Sequence, residues 1–268
     1  MNRRFALFLA AIFVLGTLGS CAQAQQPQAG PSPAPVPAKM QWCQDARFGM
    51  FIHWDPSSVA GAEISWSRDP NPGGPNPGGI PAAVYDKLYM KFDPVKFNPA
   101  EVVGLAKQAG MKYIVFTTKH HGGFCNFDSA YTDYKITSPL SPYRKDIVKM
   151  LANATHKAGL HWGIYYSQVD LHQPDYGVDQ PAYDLYLRHQ IEELITHYGK
   201  VDVIWFDGLG HPASYWDADS LFADIHRLDP TAIINDRCGL PGDFSTPEQR
   251  IGSYDDQRPW ETRMTIST

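Results

Sequence analysis

From Met40 onward, short apolar runs alternate with longer stretches in which apolar residues recur every three or four positions. The runs fall at 49–54, 113–118, 161–167, 201–207, 232–237 and 264–268. Each is rich in β-branched and aromatic residues and shows no clean polar alternation, the pattern of a strand covered on both faces. The stretches between them carry helix punctuation. Asn98-Pro99-Ala100-Glu101 supplies a cap, a proline at the first helical position and an acid three residues after the cap, and that helix stops at Gly110. A second helix is predicted over 146–158 with Gly159 as its stop, a third over 184–198 before Gly199, and a fourth over 218–228, capped by Asp217 and ended before Pro230.

Alternating strand and helix predicts a parallel sheet, closed as a barrel or doubly wound. The doubly wound reading needs a glycine-rich turn between a strand and a helix, and neither Gly122-Gly123 nor Gly208-Leu209-Gly210 supplies it. Polar residues instead cluster where the strands end: His53, His120, His121, Tyr165, Tyr166, Asp207 and Arg237. In a (β/α)8-like barrel those ends converge on one face, where the chemistry of this architecture sits. The expected fold is therefore a (β/α)8-like TIM barrel over 40–268. Its sixth predicted strand reaches the final residue, so the pattern predicts a barrel truncated at the C-terminus. Residues 55–98 break the rhythm with Pro70-Asn71-Pro72-Gly73-Gly74 repeated as Pro75-Asn76-Pro77-Gly78-Gly79, which reads as a surface loop.

The composition of the 268 residues, 43% hydrophobic and 19% charged, excludes a collagen, a coiled coil or a wholly disordered chain. A net charge of −5 without a basic run argues against a nucleic-acid partner. Residues 1–20 read as an export signal, with Arg3 and Arg4 ahead of an apolar stretch too short to span a bilayer. Leu18-Gly19-Ser20-Cys21 predicts a lipoprotein whose Cys21 carries the lipid, placing the protein in the periplasm or on the outer membrane. Cleavage after Ala22-Gln23-Ala24 would instead give a secreted protein. Residues 21–39, with five prolines spaced through them, form a semi-rigid tether. Cys43, Cys125 and Cys238 allow at most one disulfide and fit no zinc pattern.

Two carboxylates stand out. Asp207 ends the apolar run Val203-Ile204-Trp205-Phe206, where a charge must face the barrel mouth rather than the core. Glu248 lies in a loop-like stretch eleven residues after Arg237. His120-His121 could ligate a metal, but the first strand offers His53-Trp54-Asp55 rather than a His-x-His pair. No metal and no cofactor are expected, and the imidazoles are assigned to hydrogen bonds with hydroxyls.

Several blocks taken together resemble glycoside hydrolase family 29, the α-L-fucosidases. They are Arg47-Phe48-Gly49-Met50-Phe51-Ile52-His53-Trp54, Lys119-His120-His121 with Gly123-Phe124, Tyr165-Tyr166-Ser167, Trp205-Phe206-Asp207-Gly208 and Asn235-Asp236-Arg237. The resemblance implies a barrel and retaining hydrolysis of α-L-fucosides through a covalent fucosyl-enzyme, with a fucosylated glycan as substrate. It implies Asp207 as nucleophile and Glu248 as acid/base, with Glu261 the second choice for that role. It places fucose binding on His53, Trp66, His120, His121, Tyr165, Trp205 and Arg237. The chain departs from the family pattern at Gly122, where an Asp is usual, and at Leu171, where a Trp is common. It also has Glu63-Ile64-Ser65-Trp66 in place of an adjacent Glu-Trp. Two other readings share these sugar contacts: a non-hydrolytic, lipid-anchored fucose-binding protein, and a retaining glycosidase acting on a related sugar.

Overall fold

A computed structural model describes residues 36–69, 79–208, 210–248 and 258–263. The predicted export signal, Cys21, most of the tether, the Pro-Asn-Pro-Gly-Gly repeat up to Gly78 and the predicted strand at 264–268 lie outside these residues. The chain begins with helix α1 (Gln41–Ala46) and strand β1 (Gly49–Ile52). A two-residue parallel pairing of β2 (Arg68–Asp69) with β3 (Ile80–Pro81) then brackets the repeat, and α2 (Ala82–Tyr85) follows. From there strand and helix alternate: α3 (Pro99–Gln108), β4 (Tyr113–Lys119), α4 (Ile147–Lys157), β5 (His161–Tyr166), α5 (Gln180–His197), β6 (Val203–Phe206), α6 (Ala218–Leu228) and β7 (Ile233–Ile234).

The main sheet has the order β1-β4-β5-β6-β7, every pairing parallel. Chain order equals spatial order, as in a barrel wall, and among the described residues no strand steps back across the sheet as a doubly wound fold requires. Successive side chains of a strand leave by opposite faces, and the two faces here bury two separate cores. Phe51, Tyr113, Val115, Tyr165, Val203, Trp205, Ile233 and Phe244 pack inside, closed at one end by Met40 ahead of α1. Ile114, Phe116, Trp162, Ile164, Tyr166, Ile204, Phe206 and Ile234 face outward against the helices. Gly163 sits on the inner face, where an added Cβ would stand 2.9 Å from Val115 and 3.0 Å from Val203. The missing side chain lets large neighbours fill the interior.

The sheet continues past β7 through isolated parallel bridges, Asn235 with Phe244, Ser245 with Trp260 and Glu248 with Arg263. This corrects one expectation: the segment around Glu248 is strand-like, not a loop. A further wall segment at 260–263 pairs with it. Both were hidden because each makes only one or two ladder contacts and is mostly polar outside Phe244. Asn235 shows why β7 itself is so short. Its side chain accepts from Phe206 N (2.9 Å) and donates to Phe206 O (2.8 Å), replacing ladder bonds.

One helix start and one cap also differ. The third long helix begins at Gln180, because Asp179 accepts from Ala182 N and Pro181 occupies the first turn. Asp217 precedes α6 with φ 43° and makes no capping bond; its carboxylate meets Arg188 Nη1 at 3.2 Å instead. Cys43, Cys125 and Cys238 are all free thiols.

Candidate active site

Period two carries three residues directly to the inner side of the mouth. His53 follows Phe51, Asp207 follows Trp205, and Tyr165 itself points inward. The end of β4 works differently. Its register with β5 slips between Thr117 and Lys119, so one extra residue enters the strand there. Without that bulge Lys119 would follow Tyr113, Val115 and Thr117 to the inner face. With it, Lys119 turns outward and is wholly buried, its Nζ 3.1 Å from Asp170 Oδ2 and 4.6 Å from the centre of the Tyr166 ring. His120 thereby reaches the mouth.

Asp207 is held on three sides. Tyr165 Oη donates to Oδ2 at 2.7 Å, Arg237 Nη1 donates to Oδ1 at 2.9 Å, and His121 Nε2 lies 3.7 Å from Oδ2. Burial alone would raise this carboxyl; the positive charge of Arg237 and the hydrogen bonds from Tyr165 and Arg237 outweigh it and hold it below the usual range. An ionised, desolvated and fixed carboxylate is what a glycosyl nucleophile requires.

Glu248 shares the same arginine. Arg237 Nη2 donates to Glu248 Oε2 at 2.8 Å, and Arg263 Nη2 reaches the same oxygen at 2.9 Å. One guanidinium therefore joins the two carboxylates across its two terminal nitrogens. Arg237 is itself fixed by Thr246, whose Oγ1 accepts from Nε and whose carbonyl accepts from Nη2.

Glu261, the second choice for acid/base, is placed elsewhere. Its hydrogen-bond partner is Tyr113, the first residue of β4 and thus at the opposite end of the strand from the histidines. Burial pushes its carboxyl up to about 7, against the Tyr113 bond and the Arg263 charge. A carboxyl titrating near 7 when folded and near 4.5 otherwise binds its proton more tightly in the folded state. Its contribution to stability is present below about 4.5 and is lost as pH rises to about 7. Glu261→Gln is therefore expected to gain thermal stability relative to wild type between pH 5 and pH 8. Melting temperatures that change in parallel across that interval would contradict this.

The imidazoles form a wall. His120 lies 4.1 Å from His121, 5.5 Å from His53 and parallel to Tyr165, ring centre to ring centre, and Trp66 stands edge-on to both His120 (5.6 Å) and His121 (5.1 Å). Desolvation lowers all three rings, His53 to about 3 and His121 to about 4, with Arg263 adding to the effect at His53 and Asp207 opposing it at His121. They are uncharged near neutrality. Trp205 is fully buried, covered by Tyr165, Phe51 and the Arg237 and Arg263 guanidiniums, the last 4.1 Å from its ring centre. It forms the floor beneath the site, and Trp66 is the aromatic placed beside the histidines. Among the described residues, His120, His121 and Asp207 could together reach one cation. Arg237 and Arg263 already supply the positive charge there, so the donor set does not fit a resident metal.

Sequence reasoning missed Arg263, which has no motif and gains its role only when residue 263 pairs with Glu248. It also missed Ser65 and Ser167, whose Oγ atoms contact His120 Nδ1 and His121 Nδ1. The departure at Gly122 has a local cause: a Cβ there would stand 2.9 Å from Ser65 Cβ and 3.2 Å from the Tyr85 ring.

The family model described as alpha-L-fucosidase matches residues 18–268. Alpha-L-fucosidase 1 of Arabidopsis thaliana is 32% identical over 243 residues, covering 87% of this chain and 44% of its own length. The tissue alpha-L-fucosidase of Homo sapiens is 31% identical over 259 residues, covering 87% and 54%. The chain thus spans about half the length of these relatives. Among solved structures, alpha-L-fucosidase isoenzyme 1 of Paenibacillus thiaminolyticus superposes with a TM-score of 0.74 at 36% identity, over 84% of this chain and 60% of that one. AlfC of Lactobacillus casei, solved with its α-L-fucose product, gives 0.70 at 29% identity, over 84% and 78%. With strand order, layering and motif blocks in agreement, this chain belongs to the α-L-fucosidase family.

Proposed function

We propose that this chain carries the catalytic barrel of a retaining α-L-fucosidase acting on fucosylated glycans. The observation that supports it most directly is the sharing of Arg237 by Asp207 and Glu248. Two carboxylates on one guanidinium meet the need of retaining glycosidases for a nucleophile and an acid/base close together, about 5 Å apart in that class. Asp207 attacks the anomeric carbon as the bond to the leaving oxygen breaks. Glu248 gives that oxygen a proton, then removes one from the water that releases fucose. His53, His120, His121 and Trp66 surround the sugar, with Trp66 the apolar surface suited to the C5 methyl group.

The test is hydrolysis of an aryl α-L-fucoside followed by proton NMR. α-Fucose should appear first and then mutarotate; β-fucose appearing first would overturn retention, and binding of fucose without turnover would favour the non-hydrolytic reading. Glu248→Ala should slow cleavage of an alkyl or glycosyl fucoside by about 10²–10⁴-fold. An activated aryl fucoside, whose leaving group needs little protonation, should lose much less in its first step. Equal losses on both would remove Glu248 from the acid role.

We also propose that the protein is exported and lipid-anchored through Cys21. The charged, apolar and small-residue segments ahead of Cys21 support this. Mass spectrometry of the mature N-terminus checks it, and an unmodified chain starting at Gln25 would refute it.

A further inference from the structure

We propose that Ser65 and Ser167 are positioning residues that set His120 and His121 in opposite tautomers, so that the adjacent rings offer the sugar one N–H donor and one bare nitrogen acceptor. The assignment follows from where each hydroxyl hydrogen can go. Ser167 Oγ donates to Val169 O at 2.8 Å, which commits its hydrogen. Its remaining contact, with His121 Nδ1 at 2.5 Å, must then be one in which Ser167 accepts. His121 consequently carries its proton on Nδ1 and leaves Nε2 bare, 3.7 Å from Asp207 Oδ2. Both groups beside the nucleophile are then acceptors, so a substrate hydroxyl entering there must act as a donor, giving its one hydrogen to Nε2 or sharing it with Oδ2.

Ser65 is the converse. It is fully buried, and among the described residues its Oγ meets one partner, His120 Nδ1. That nitrogen is the acceptor available to it, so Ser65 donates and the His120 proton resides on Nε2. His120 then presents N–H to a hydroxyl that accepts. Burial holds both rings uncharged, as a fixed tautomer requires.

The backbone is built to deliver Ser65. Ile64, a β-branched residue, adopts φ 36°, a conformation such residues occupy only when surrounding structure imposes it. The turn Ile64–Ser67 that follows carries Ser65 to His120 and Trp66 to the edge of both imidazoles. Gly122 leaves the space Ser65 needs, since any Cβ there would press on Ser65 and Tyr85. The pairing of Gly122 with Ser65 thus gives this chain its own way of orienting the first histidine.

The experiment is ¹⁵N-histidine NMR on the whole protein near pH 7, with resonances assigned through His120→Gln and His121→Gln. His120 should be protonated at Nε2 and His121 at Nδ1. Ser65→Ala should turn His120 into a tautomer mixture and leave His121 as it was; Gly122→Ala should do the same by displacing Ser65. Ser167→Ala should release His121 alone. One tautomer shared by both rings, or a His120 spectrum indifferent to Ser65→Ala, would overturn the proposal.

A kinetic arm, which alone rests on the fucosidase reading, compares deoxy analogues of an aryl α-L-fucoside. Ser65→Ala should lower kcat/KM roughly tenfold. It should also shrink the penalty for removing one hydroxyl, and Ser167→Ala the penalty for removing a different one. Equal losses on every analogue would mean that the serines are merely structural. Because the NMR needs no turnover, failure of the fucosidase reading and failure of the tautomer assignment are separable.

Discussion

Asp207→Gly is expected to lower kcat on an aryl α-L-fucoside by at least about three orders of magnitude, as loss of a covalent nucleophile does. The size follows from the lack of a substitute. Glu248 is bound to Arg237 and Arg263 on the far side of the shared guanidinium, and the neighbouring imidazoles are uncharged. No other carboxylate among the described residues contacts Tyr165 or the Arg237 nitrogen that faces Asp207. The variant should still fold. Arg237 keeps Glu248 and Thr246 as partners, while its Nη1 and the Tyr165 hydroxyl lose the acceptor that Asp207 supplied. The hollow left behind is lined by cationic and hydrogen-bond-donating groups, so added azide should enter it, restore turnover and yield a fucosyl azide. Turnover at the wild-type level in Asp207→Gly would remove Asp207 from the mechanism. A correctly folded, inactive variant that azide leaves inactive would argue for a positioning role instead.

Lys119→Met is expected to cost about 3–5 kcal/mol of stability, because it strands a buried carboxylate. Lys119 and Asp170 are both essentially inaccessible to water, 0% and 1% exposed at their side chains. Removing the ammonium leaves Asp170 with the His172 N and Gln173 N donors, at 3.1 and 3.0 Å, and without its ion-pair partner. For a domain of this size the melting temperature should fall by roughly 6–20 °C. The loss should reach the site as well, since Leu171, next to Asp170, donates to His121 O at 2.8 Å. Arg227→Met is the control. Its guanidinium meets Asp224 at 3.4 Å while 63% exposed, and such surface pairs contribute less than about 1 kcal/mol. Similar melting shifts in the two variants would show that burial is not what gives the Lys119 pair its weight.

Much of the architecture can be read from spacing. Short two-sided apolar runs and punctuated helices locate β1, β4, β5, β6 and β7 to within a few residues. The same period-two count that buries Phe51, Tyr165 and Trp205 inside carries His53 and Asp207 to the mouth. A strongly periodic element announces itself because many residues repeat one requirement. Glu248 and Arg263 belong to segments held by one or two bridges each, too brief for any period to show. Glu261 and Glu248 look alike in sequence, yet one meets Tyr113 at the start of β4 and the other meets Arg237 at the mouth. Helix α5 starts at Gln180 rather than at 184 for a related reason: its first turn is fixed by the hydrogen bond that Asp179 accepts from Ala182 N, which no apolar period marks.

The sequence by itself determined the parallel strand–helix alternation, the family and the presence of a carboxylate at the end of β6, because hydrophobic period and motif blocks are local properties. The tertiary structure alone decided which way the Lys119-His120-His121 stretch faces. A one-residue bulge between Thr117 and Lys119 sends the lysine out to Asp170 and the first histidine in to the site. It also decided that Ser65 meets His120 across the space left by Gly122, and that Asp207 and Glu248 share Arg237. Register slips and contacts between distant segments depend on how neighbouring strands fit together, which no single stretch of sequence contains.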